Sequence, residues 1–68
     1  MRYAIIIETD ESGCSAYVPD LPGCIAAGAT VEEVRTLIAE AIQMHLEGMR
    51  EDGDLVPEPT SLCEYVEA

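Results

Sequence analysis

Apolar and polar residues change their period along this chain, and each change predicts an element. Tyr3-Ala4-Ile5-Ile6-Ile7 is an unbroken apolar run rich in β-branched residues, and so reads as a strand. Thr9-Asp10-Glu11-Ser12-Gly13 follows, a cluster of turn formers ending in a glycine that can take positive φ. Cys14–Val18 then returns antiparallel and stops at Pro19, which offers the ladder no donor. Pro19-Asp20-Leu21-Pro22-Gly23 reads as a rigid loop, and Cys24-Ile25-Ala26-Ala27 as a third strand.

The period then becomes helical. Val31, Val34, Leu37, Ile38, Ala41, Ile42, His45 and Met49 recur at three- and four-residue steps, with Glu32, Thr36, Glu40, Gln43, Glu47 and Arg50 on the opposite side. Thr30 and Glu33 have the spacing of a capping box, in which the Glu carboxylate would reach back to the cap N–H. Gly53 predicts the helix end, giving one helix about twenty residues long. Pro57 and Pro59 keep the next stretch extended, and Ser61–Glu67 reads as a last strand.

These elements make a β-β-β-α-β chain of the α+β class. A helical crossover is right-handed and can set the last strand parallel to the first, giving sheet order 3-2-1-4 with the helix packed on one face. The first strand is apolar on both sides, so the uncovered face is expected to meet another subunit, making a dimer or tetramer.

Length and charge narrow the function. The 68 residues leave room for a single domain, 1–68. With 3 Arg, no Lys and 14 Asp plus Glu, the net charge is −11. That excludes the basic patch a direct nucleic-acid contact needs and favours a basic partner. The three cysteines lack CxxC spacing, and no secretory or membrane-spanning stretch is present; the cytoplasm is therefore the expected location, with no membrane contact. His45 reads as a packing or interface residue, because no serine or cysteine is pinned beside it by spacing. Neither Glu8 with Asp10 nor Asp52 with Asp54 makes a metal-binding series. No metal, cofactor or catalytic residue is expected, and the chain does not read as an enzyme. Gly48, on the apolar side of the helix, is expected to serve close packing.

The fragments Tyr17-Val18-Pro19-Asp20-Leu21-Pro22-Gly23-Cys24, Gly28-x-Thr30-x-x-Glu33, Glu40-Ala41-Ile42, Glu47-Gly48-Met49 and Asp52-Gly53-x-x-x-Pro57-x-Pro59 together resemble the HicB-like antitoxin family. The resemblance implies a partial ribonuclease H-like fold. It also implies an antitoxin that binds a HicA-like toxin, a small basic mRNA-cleaving protein with an essential histidine, and masks its RNA-binding surface. Many members continue into a C-terminal DNA-binding module; ending at Ala68, this chain is expected to act without one. The alternative is an orphan oligomeric accessory protein of the same fold with no toxin partner. If a toxin is bound, Asp10, Glu11, Asp20 and Pro22 are the expected contacts, since they lie in loops beside an ordered sheet.

Overall fold

The computed structural model describes residues 1–68. Three strands, β1 (Ile6–Asp10), β2 (Gly13–Tyr17) and β3 (Ile25–Gly28), are followed by one helix, α1 (Val31–Glu51). The strands form an antiparallel sheet in the order β1-β2-β3.

The first hairpin is tight because Asp10 pairs with Gly13 and leaves only Glu11 and Ser12 in the turn. Asp10 Oδ1 accepts from both the Ser12 amide (2.7 Å) and the Ser12 hydroxyl (2.6 Å). Gly13 has φ of 135°, and a Cβ there would stand 2.8 Å from the Gly28 carbonyl oxygen of β3. Only glycine meets both conditions.

β1 begins later than the apolar run predicts, at Ile6 instead of Tyr3. The cause lies in β2, which ends at Tyr17. The next residue beyond β2 that would bond β1, opposite Ala4, is Pro19, which has no N–H, while the Val18 amide, on the β3 side, bonds the Cys24 carbonyl (3.2 Å). That bond closes the Pro19–Gly23 loop on itself, together with Leu21 N to Val18 O and Cys24 N to Leu21 O, each 3.1 Å. The closed loop drives Leu21 inward until it is fully buried.

The helix starts and ends as its sequence predicts. Thr30 Oγ1 accepts from Glu33 N at 3.1 Å. The Glu33 carboxylate reaches one residue further back than a standard capping box, to Ala29 N at 3.3 Å. At the other end Gly53 N bonds Arg50 O (3.2 Å) and Asp54 N bonds Met49 O (2.8 Å), the paired bonds of a Schellman motif, with Gly53 at φ 74°.

Val34, Ile38 and Leu46 of α1 pack on Ala16 and Val18, with Leu21 and Cys24 completing a core of seven buried residues. Tyr3, Ile5, Ile7, Cys14 and Ala26 line the sheet side of that core. By alternation Ile6, Glu8, Asp10, Ser15, Tyr17, Ile25 and Ala27 point to the other face. The molecule is 15 Å thick along its shortest axis, one sheet and one helix deep, so that second face has no covering layer.

Ser61–Glu67 does not form the expected fourth strand, and the sheet stops at three. The segment lies beside β1 without joining its ladder: the Cys63 thiol sits 3.9 Å from the Ile5 carbonyl oxygen, and Leu62, Tyr65 and Val66 are 83%, 100% and 90% exposed. The Pro57–Pro59 stretch and the anchors described below fix the chain only as far as Ser61.

Gly48 does not serve close packing, since nothing stands within 4 Å of where its Cβ would lie. In the last turn of the helix it therefore costs backbone entropy with no packing return. Gly48→Ala is expected to stabilise the protein by about 1 kcal/mol, raising the melting temperature by roughly 4–8 °C. A melting curve that moves down would show an unrecognised need for glycine there.

Candidate functional site

The acidic residues singled out from sequence do different work in the structure. Asp20 is a latch. Its Oδ2 accepts from the Thr60 and Ser61 amides, each at 3.0 Å, and its Oδ1 accepts from the Thr60 and Ser61 hydroxyls at 3.1 and 2.8 Å. These bonds, the Ser61 amide foremost, hold the Asp20 carboxyl down at about 2, below the usual carboxylate range. The Tyr3 hydroxyl donates to the Pro57 carbonyl at 2.6 Å, and Val56 packs on the core. Between them, Tyr3 and Asp20 hold the segment that follows the helix.

Asp10 shapes the hairpin turn. The Ser12 hydroxyl, and then the Ser12 amide, keep its carboxyl below the ordinary value. Glu11, at the tip of the same turn, is exposed, and so is Pro22 in the β2–β3 loop.

The four expected contacts are not brought together. Asp10 and Glu11 lie at the hairpin end of the sheet; Asp20 and Pro22 lie at the other end, beyond the row where Ile6, Tyr17 and Ile25 pair. Four steps along β1 separate the two ends by about 13 Å.

Between the two ends lies a surface the sequence reading did not name by residue. Tyr17 and Ile25 are 42% and 71% exposed on the uncovered face, next to Ile6. The signal was in the alternation of β2, where buried Ala16 fixes Tyr17 as outward-facing.

His45 is half-buried and shares a shallow gap of about 320 Å³ with Cys24 and Met44. Burial pushes the Cys24 thiol up, away from the thiolate a nucleophile requires. No three His, Cys, Asp or Glu side chains gather into a metal-holding group, and no helix is long and apolar enough to cross a membrane.

Releasing the latch gives a pH-dependent effect of definite sign. Because the folded carboxyl titrates at about 2 and its ordinary value is 3.8, Asp20 contributes stability above that ordinary value and loses it as pH falls toward the folded value. The Thr60 and Ser61 amide resonances are expected to titrate with the Asp20 carboxyl. In Asp20→Asn they should lose that titration and exchange with solvent faster at neutral pH. Unchanged exchange in the variant would mean that the segment is held by Tyr3 and Val56 alone.

Fold and surface define a class: a small acidic α+β protein with three antiparallel strands and one helix, whose carboxylates organise turns and a latch. The chain belongs to the HicB-like antitoxin family of bacterial toxin–antitoxin systems, whose model matches residues 3–68. It is 41% identical over 66 residues to an uncharacterised 14.9 kDa protein of Haemophilus phage HP1, covering 97% of this chain and 50% of that protein. Against the antitoxin HicB 2 of Photorhabdus laumondii it is 31% identical over 61 residues, covering 90% of this chain and 44% of the relative. This chain thus spans about half the length of these two relatives. A chain in the solved HicA3–HicB3 toxin–antitoxin complex superposes with a TM-score of 0.74 at 32% identity, covering 87% of this chain and 70% of that one.

Proposed function

We propose that this protein is an antitoxin that neutralises a small basic HicA-type toxin by covering the surface with which the toxin holds RNA. The observation that carries the reading is the likeness, over 87% of this chain, to one chain of the solved HicA3–HicB3 toxin–antitoxin complex. The charge of −11 supports it, because an acidic protein is steered to a cationic RNA-binding surface and competes there with phosphates. In this reading the chain performs no catalytic step, needs no cofactor or metal, makes no direct contact with nucleic acid or membrane, and acts in the cytoplasm.

Asp10 and Glu11 at one end of the sheet and Pro22 at the other remain the proposed contacts. Asp20 assists by ordering the segment around Thr60 and Ser61, since its oxygens already accept internal bonds. A core of only seven buried residues also favours self-association, to a dimer or tetramer, as a further source of stability. Light scattering of the free protein tests this, and a monomer mass at micromolar concentration would exclude it.

The test of function is growth rescue. A HicA-type toxin induced in bacteria should arrest growth and degrade mRNA, and co-expression of this chain should restore both. Continued arrest with this chain present at equal level would sink the antitoxin reading and leave the orphan oligomer.

A further inference from the structure

The sheet face turned away from α1 has two parts. At one end Ile6, Tyr17 and Ile25 stand abreast, because the register pairs Ile6 with Tyr17 and Tyr17 with Ile25. Toward the hairpin the same face continues through exposed Glu8, opposite Ser15, to exposed Asp10. All three arginines lie outside the strands, so every charge the strands place on this face is negative.

We infer that this open face is where the toxin docks. The apolar row seats an apolar patch of the partner, and Glu8 and Asp10 pair with arginine or lysine beside that patch. The inference rests on the antitoxin reading and deepens it by assigning the surface.

At this face charge selects a cationic partner over a second copy, leaving self-association to other surfaces. The sequence suggests a face apolar along the whole first strand, but the strand begins at Ile6 and gives its later outward positions to Glu8 and Asp10. Three strands about 4.8 Å apart and about 13 Å long expose on the order of 150 Å². A stable interface needs about 800 Å² per partner. The apolar row thus has the dimensions of a hot spot, an aromatic anchor flanked by aliphatic side chains, with the rest of the contact supplied by the surrounding acidic surface. A second copy would bring another −11 charges to that surface.

The test uses the full chain and a HicA-type toxin with its RNA-cleaving histidine replaced. Ile25→Lys, at a position 71% exposed, should melt as the parent does and bind at least about tenfold more weakly. Leu55→Lys, at a position 91% exposed past the helix, should bind as the parent does. Glu8→Gln with Asp10→Asn should slow association and flatten its salt dependence. If the parent binds the toxin and a normally melting Ile25→Lys binds equally well, the open face is not the docking surface, although the antitoxin reading stands. If Ile25→Lys lowers the mass of the free protein while toxin affinity is unchanged, the face joins copies of this chain and the inference is overturned. If the parent binds no HicA-type toxin, the antitoxin reading fails and this assignment falls with it.

Discussion

Leu21→Ala should leave much of the protein unfolded at 37 °C. Leu21 is fully buried although it lies in a loop, because the Val18–Cys24 bonds close that loop around it and press it between sheet and helix. Cutting a buried leucine to alanine costs about 2–5 kcal/mol, from lost transfer energy and the cavity left behind. A core in a domain of this size supplies only about 3–5 kcal/mol in total, so one substitution consumes most of the stability. Circular dichroism should show a melt shifted down by well over 10 °C, or no cooperative melt. A shift of only a few degrees would mean that the loop refills the space or that association carries more of the stability than the core does.

Gly13→Ala should be the next most damaging change. At φ 135° an L-residue is strained by about 1–3 kcal/mol. The new Cβ would also sit 2.8 Å from the Gly28 carbonyl oxygen, a backbone atom that cannot swing aside. Relief requires β2 and β3 to part at the hairpin end, where Cys14 pairs with Gly28. A loss of roughly 2–4 kcal/mol is expected, read as a fall in the denaturation midpoint with an unchanged slope. Gly28 offers an internal contrast, since the nearest atoms a Cβ there would meet belong to the Glu33 side chain, at 3.2 Å or more, and that chain can rotate at the expense of its bond to Ala29 N.

The helix was fully legible because three independent signals agree on it: the apolar period, the Thr30 cap and the Gly53 stop. The hairpin was legible for a similar reason, since its turn chemistry is local. Strand boundaries were less so. Where β1 begins depends on register, because only with Asp10 opposite Gly13 does Pro19, which has no N–H, fall at the bonding position after Tyr17. The last strand failed on a matter no local pattern records: Ser61–Glu67 has strand composition, but a strand also needs a partner ladder, and the latch ends at Ser61. Asp20 was picked as an exposed loop carboxylate; that it spans 40 residues to Thr60 follows only from three-dimensional closure. The family was legible from motif order across nearly the whole chain, as the match to residues 3–68 shows.

The latch also bears on how the molecule assembles in time. Hairpins and helix join residues close in sequence, whereas the Asp20 bonds close a loop of about forty residues and must wait for its ends to meet. Sheet and helix, built from nearer contacts, can therefore form before Thr60 and Ser61 reach Asp20. The latch and the Tyr3–Pro57 bond, which spans 54 residues, then close late on an already folded body, and are expected to be among the first contacts to open when the protein unfolds.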